Sequence, residues 1–320
     1  MNKVAHVIVV DVGGTHVRAI RADASGTILC NASAPAERLR IEDPIEVLVE
    51  LIERVRHAID SQVNGVVIGI PGILDPRRRS VVNTPNIPTL NGLPVADLLE
   101  GALGVPVLLD HDATLQTRGE AARGSAAGRN LVLGVYFGTG VGAAFLDHGQ
   151  LMGGIYRMQL GHVPLRGEGR IGTGGAVDCV EAYASGAVLQ SLARKYGLPV
   201  NQLFAVSSAG NLSSELDTFL CDQALAIAMA VTLTDPEVVV IGGGVIDMEG
   251  YPFNSLVQAV QSCLSPVLGN DRVVLTRAEL GSAAATWGAL SLLTNAEGQM
   301  RVEIAERRLT CASAAKIECE

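Results

Sequence analysis

A chain of 320 residues with 48% hydrophobic and 18% charged side chains has material for two folded domains, a balance that excludes a disordered chain. The formal net charge is −9 and three lysines occur in all, Lys3, Lys195 and Lys316, which excludes a lysine-rich surface for nucleic acid or an anionic membrane. Six cysteines without paired spacing fit reduced thiols, no basic leader with a long apolar core opens the chain, and the longest apolar helix-like run, Ala224 to Leu233, is too short to span a bilayer, so a cytoplasmic protein is expected.

Val7 to Val10 is a short β-branched run closed by Asp11 and Gly13-Gly14, after which the chain returns through Val17 to Ile20: a strand, a glycine turn and a second strand. Two glycines leave the backbone bare enough for N–H groups to approach a phosphate, Thr15 adds a hydroxyl, and Asp11 sits where a carboxylate can face a hydrated Mg²⁺. An ordinary β-turn with a surface Asp fits the same letters. Thr27 to Asn31 supplies a third strand. Asp43-Pro44-Ile45-Glu46 then combines an N-cap, a proline at the first helical position and an acid three residues past the cap, and Ile45, Leu48, Ile52, Val55 and Ile59 follow at helical spacing. Val66 to Ile70 is a buried strand stopped by Pro71-Gly72, and a polar loop runs from Asn83 to Pro88. A helix from about Val95 to Leu103 leads to strand Val105 to Leu109, which ends in Asp110-His111-Asp112 before a helix from Ala113 to Ala122.

Leu131 to Leu151 repeats the opening pattern of strand, glycine turn, strand and polar turn, with Gly138 standing where Gly13 stood and Tyr136 where Asp11 stood; two domains of like topology are expected. A helix from about Thr218 to Leu233, a strand from Glu237 to Ile241, the triplet Gly242-Gly243-Gly244 and a last helix from Ser282 to Leu293 complete the order, ahead of a polar tail from Asn295. Aromatics make only 3% of the chain against 36 glycines, which suits an α/β protein with aliphatic cores and close turns.

Gly138-Thr139-Gly140-Val141-Gly142-Ala143 fits the dinucleotide pattern GxGxxA, but that reading needs a helix at once, and Ala143 to Leu146 reads as a return strand. A Walker A loop is excluded because no Gly-Lys pair exists. Two hairpin loops facing each other could instead hold a triphosphate with backbone N–H groups and Mg²⁺, the third glycine loop backing the nucleoside. Asp112 falls at the same strand ends. Alone it reads as a helix cap; beside phosphate loops it reads as a general base taking a hydroxyl proton.

Together these motifs resemble the ROK family of sugar kinases: DVGGTHVR at Asp11, GIPG at Gly69, NTPNIP at Asn83, FGTGVGAA at Phe137, LGHVPL at Leu160, CVEAYASG at Cys179 and DPEVVVIGGG at Asp235. The resemblance implies an α/β fold of two actin-like (ribonuclease H-like) ATPase domains flanking a cleft. Residues 1–117 would form the sugar and phosphate side, joined by a C-terminal helix at about 283–298, residues 118–282 the nucleotide side, and 299–320 a polar tail. It makes Asp112 the catalytic base and Asn86, His111, Gln159, His162 and Glu181 sugar ligands. Asp11, Gly13, Gly14, Thr15, Arg18, Gly138, Thr139, Gly140, Gly142, Gly243 and Gly244 would serve ATP and its Mg²⁺. TPNIP, the FGTGVGAAF turn and GGGVIDM followed by Pro252-Phe253 are most similar to members acting on D-allose, so phosphorylation of the 6-hydroxyl of an aldohexose is expected, by a homodimer. Glucokinase or N-acetylmannosamine kinase activity is the alternative, as is a sugar-binding sensor with little turnover.

The chain departs from the family pattern at three places. Gln159 stands where the family carries Glu, and an amide lacks the charge-assisted part of a hydrogen bond to a sugar hydroxyl. His111 stands where Asn is common. The family's structural zinc uses a His and a CxCGxxGC loop; here Gly172 and Gly174 occupy the first two Cys positions, leaving His162 and Cys179, so no stoichiometric zinc and a looser Gly167 to Gly175 loop are expected. The first strand begins by about Val4, so no DNA-binding domain is expected ahead of it.

Overall fold

The structure is a computed structural model and describes residues 6–294 apart from 24, 207–209 and 269–271. Strands β1 (His6–Val12), β2 (His16–Asp23) and β3 (Ile28–Pro35) form a meander; a short α1 (Arg38–Ile41) and α2 (Pro44–His57) follow, then β4 (Val63–Ile70) and a small hairpin of β5 (Ile73–Leu74) and β6 (Val81–Asn83). Helix α3 (Val95–Leu103), β7 (Val107–His111) and α4 (Asp112–Arg123) complete the first half. The sheet order is β3-β2-β1-β4-β7, antiparallel among the first three and parallel from β1 to β4 to β7. Val7 to Val10 are buried on both faces, which is why the strand is an unbroken β-branched run and not an alternating one. The register pairs β2 and β3 out to His16 and Pro35, so the third strand runs past Asn31, where the sequence pattern had lost its signal.

Helix α2 starts as its sequence dictates. The Asp43 carboxylate accepts from the Ile45 and Glu46 N–H groups at 2.8 and 3.2 Å, Pro44 leads the first turn, and Val47, Leu48, Leu51, Ile52 and Val55 are buried beneath it. Ile59 lies just past the helix. Helix α3 stops at Gly104, whose φ of 67° is the left-handed cap that glycine adopts without strain.

The second half repeats the plan. Strands β8 (Leu131–Phe137), β9 (Val141–Asp147) and β10 (Gln150–Met152) form a second meander, α5 (Val180–Ala184), α6 (Gly186–Tyr196), α7 (Leu203–Val206) and α8 (Asn211–Thr234) follow, and β11 (Val238–Gly242), α9 (Phe253–Cys263), β12 (Val274–Arg277) and α10 (Ala284–Thr294) complete it. The order β10-β9-β8-β11-β12 and its strand directions reproduce the first sheet, which is the actin-like arrangement. Helix α8 begins well before Thr218, and with 24 residues it is, among the described residues, the one helix long and apolar enough to cross a membrane. The expectation of too short an apolar run is corrected to that extent. Its buried side chains, Phe219, Ala224, Ile227 and Val231 among them, pack in the core of the second half, and its buried Asp222 accepts from Arg166 Nε at 2.6 Å.

Helices α4 and α10 cross in contact. A Cβ on Gly119 would stand 2.0 Å from the Ala284 carbonyl oxygen, and one on Gly288 1.9 Å from that of Leu115, so only glycine permits the approach. The end of the C-terminal helix expected at 295–298 and the tail 299–320 lie outside the described residues.

Candidate active site

A cleft of about 440 Å³ opens where the carboxyl ends of both sheets' parallel strands meet. The β1–β2 turn contributes Gly13, Gly14 and Thr15; the β8–β9 turn contributes Gly138, Thr139, Gly140 and Gly142; Gly243 and Gly244 follow β11; and His111 with Asp112 stands at the start of α4. Asn86, Gln159, His162 and Glu181 line the same space. A Cβ on Gly14 would lie 3.3 Å from Thr139 Oγ1, so the two glycine hairpins face each other at close range. Of the residues singled out in the sequence, Asp11 and Arg18 lie outside this lining. They are paired neighbours on β1 and β2, with Arg18 exposed.

The glycines do different work. Gly138 and Gly244 have open space where a side chain would begin, leaving their backbones bare toward the cleft. Gly243 has a φ of 96° and would drive a Cβ to 2.5 Å from the Phe137 carbonyl oxygen. Gly140 lets the Glu181 carboxylate reach the turn, since Glu181 Oε2 lies 2.2 Å from where its Cβ would be. An apolar side pocket of about 190 Å³, lined by Leu189, Val200, Val245 and Met248, shares Gly138, Thr139 and Gly244 with the main cleft.

Asp112 is the first residue of α4. Burial raises its carboxyl to about 6, with the charge of Asp11 pushing the same way and the Ala113 N–H, 2.7 Å from Oδ1, opposing. It is therefore not the cap that its position suggested; His111 holds the N-cap place without a side-chain cap bond. Asp11 is itself raised by burial, against the pull of Arg18. Burial also lowers the His111 imidazole; the nearby Asp110 opposes this, Arg78 and Arg157 reinforce it, and a bond to the Gly72 backbone opposes it, so the ring faces the cleft neutral.

Glu181 is 9% exposed and fixed at both oxygens: Oε2 accepts from Val141 N at 3.1 Å, and Oε1 from Gly174 N at 3.3 Å and from the Thr173 hydroxyl. Gln159 donates from Nε2 to the Tyr156 carbonyl at 2.7 Å, which leaves its amide oxygen for a ligand. Arg40 carried no signal in the sequence, being a lone charge in a four-residue helix. It donates to the Gly14 carbonyl at 2.6 Å and to that of Asn86 at 2.7 Å, tying the first hairpin to the NTPNIP loop.

The zinc implied by the resemblance does not fit these residues. A Cβ on Gly174 would meet His162 Cε1 at 2.7 Å and one on Gly172 would meet Cys179 Sγ at 2.7 Å, so the two glycines converge on the remaining His and Cys but bring no donor. Two ligands do not close a tetrahedral site.

The family profile described as the ROK family matches residues 7–296. The glucokinase of Thermotoga maritima is 28% identical over 274 residues, 79% of this chain and 85% of its own length. The N-acetyl-D-glucosamine kinase of Photobacterium profundum is 28% identical over 300 residues, 88% of this chain and 97% of its own length. A solved structure, the ROK hexokinase of Thermus thermophilus, superposes with a TM-score of 0.76 at 30% identity, covering 92% of this chain and all of that one. With matching motifs, repeated sheets and cleft, the chain belongs to the ROK family.

Proposed function

We propose that this hexose kinase transfers the γ-phosphoryl group of ATP to the 6-hydroxyl of an aldohexose held in the cleft, with D-allose as the preferred acceptor. The observation that carries the reading is Asp112, a buried carboxyl held near pH 6 between two facing glycine hairpins. A base with that value is ionised at neutral pH yet still basic enough to take a proton. Asp112 accepts the 6-hydroxyl proton as that oxygen attacks the γ-phosphorus; the bond from phosphorus to the β–γ bridging oxygen breaks, and ADP leaves. Gly13, Gly14, Thr15, Gly138, Thr139, Gly140 and Gly142 offer backbone and hydroxyl donors to the phosphates. Gly243, Gly244 and the apolar side pocket suit the nucleoside.

Mg²⁺ suits Asp11, a carboxyl raised by burial with Arg18 pulling against the rise, and leaves Asp112 free as the base. Its charge, when bound, offsets that of the phosphates. Asn86, His111, Gln159, His162 and Glu181 hold the sugar. The two sheets serve as domains, 1–117 and 118–282, that close over the reactants and exclude water. A homodimer in a reducing cytoplasm completes the reading, supported by family membership and by the free thiols Cys30, Cys179, Cys221 and Cys263.

The acceptor is tested by coupled ADP release across D-allose, glucose, mannose, N-acetylmannosamine and N-acetylglucosamine. The highest kcat/KM is expected with D-allose. A preference for glucose or an acetamido sugar overturns the acceptor and keeps the kinase, whereas sugar-dependent thermal stabilisation without ADP on any sugar overturns the kinase.

A further inference from the structure

We propose that Asp178 is a positioning residue that replaces the zinc of the family, by pinning the 164–179 segment so that Thr173 and Gly174 hold Glu181 in the sugar side of the cleft. The inference rests on the sugar-side role given above to Glu181 and His162.

The segment is a closed lobe and not a loose loop. Its base is the antiparallel bridge between Pro164 and Cys179, reinforced by Leu165 N donating to the Asp178 carbonyl at 2.8 Å and Val180 N to that of Val163 at 2.9 Å. Further out, Asp178 N donates to the Arg170 carbonyl at 2.7 Å, Ile171 and Val177 bridge, and Gly172 N reaches the Ala176 carbonyl at 2.9 Å. These bonds pair the flanks of the glycine-rich stretch Gly167 to Gly175, the loop expected to be looser than in relatives.

One carboxylate gathers the outgoing strand. Asp178 Oδ1 accepts from Glu168 N at 3.1 Å, from Arg170 N at 3.0 Å and from the Tyr183 hydroxyl, which projects from α5. The Tyr183 side chain is buried, and Arg166 and Arg170 lie over its ring at 5.9 and 4.8 Å. Asp178 thus connects both strands of the lobe to the helix that carries Glu181, whereas a metal bound by His162, Cys179 and cysteines at 172 and 174 would tie the lobe's tip to its base and to the turn at Leu160–His162, so the same lobe is fixed from a different point.

The position itself supports the substitution. In the family pattern laid on 172–179, residue 178 is glycine, and the Asp178 backbone has a φ of 54°, in the region that glycine occupies freely. Asp is among the few side chains that tolerate that region. A carboxylate therefore appears at a glycine position in the same motif that lost two thiolates. At the tip, Thr173 and Gly174 reach Glu181 Oε1, and Gly174 packs on His162. Slack at the base would reach both residues.

Three readouts test this on the full-length enzyme. Asp178→Gly, which restores the family residue, is expected to raise the KM for the hexose about tenfold while kcat and the KM for ATP stay within about threefold, the scale of losing a charge-assisted hydrogen-bond set. Asp178→Asn keeps an acceptor oxygen and should recover most of the lost affinity; equal defects in the two variants would overturn the proposal. Limited trypsin digestion reads the lobe without needing turnover: cleavage after Arg166 and Arg170 should quicken about tenfold in Asp178→Gly, the scale of losing one strong restraint on local opening. Wild-type resistance in that variant overturns the brace even if the sugar reading stands, and faster cleavage without hexose turnover in the wild type isolates a failure of the sugar reading. Finally, wild-type enzyme dialysed against EDTA and returned to Mg²⁺ should keep its hexose KM, and about one zinc per chain with loss on chelation would overturn the replacement.

Discussion

The Asp112 carboxyl, proposed above as the base, carries a stability penalty. Its folded-state value near 6 lies above the ordinary 3.8, so the native protein binds the proton more tightly than the unfolded chain does. Stability from the protonated form is fully present below pH 3.8 and is lost as pH rises through 6, at about 1.4 kcal/mol per unit, or about 3 kcal/mol in all. Replacing Asp112 by Asn should therefore raise urea-unfolding stability by up to about 3 kcal/mol at pH 8, with the gain vanishing near pH 4. An equal gain at both pH values would show that the carboxyl is not the source. With Asp112 as the proposed base, kcat/KM should fall below an acid limb centred near pH 6, since only the carboxylate can take the hydroxyl proton. A limb near pH 4 would contradict the burial that raises it. Asp112 was legible because it directly follows a strand whose end stands beside glycine loops. Its perturbation was not, since the burial that causes it, and the lesser push from Asp11, arise only through the fold.

Among the elements, the hairpins were the most legible parts, because β-branched runs ending in glycine specify strand and turn locally. Helices α5 and α6 were not. The chain turns between them at Ser185-Gly186, where a Cβ on Gly186 would stand 2.6 Å from the Gly138 carbonyl oxygen, and α5, with five residues, is too short to display a period. The four-residue strand β12 needs β11 beside it to exist as a strand at all. The junction of α4 with α10 was equally hidden. Glu120, fully buried, accepts from Ser125 N at 2.9 Å and Oγ at 3.2 Å and from Glu279 N and Leu280 N at 2.9 and 2.8 Å, so one carboxylate knots the end of α4 to the approach to α10. Glycine has opposite values at two helical positions. Gly288→Ala should destabilise by about 1–3 kcal/mol by forcing the crossing apart, whereas Gly101→Ala in α3, with open space around it, should stabilise by about 0.5–1 kcal/mol. Thermal unfolding of the two variants measures both, and a stable Gly288→Ala would mean that the helices are not in contact.

At the scale of the whole molecule, family and fold were legible because seven motifs stand in one order along the chain, which no single glycine loop could establish. The acceptor was not, since epimeric sugars differ by the placing of one hydrogen bond, and the residues proposed to set it, His111 and Gln159, come together in the cleft only through the fold. Two sheets joined through α4, α10 and the Glu120 knot place the glycine hairpins opposite each other with Asp112 in the cleft between them. The central claim is that this carboxylate removes the acceptor's proton. Steady-state ADP release by Asp112→Asn, at saturating ATP and the preferred hexose, tests it most directly: turnover should fall about 10²- to 10⁴-fold while hexose-dependent thermal stabilisation is retained, and turnover equal to that of the wild type would contradict the account.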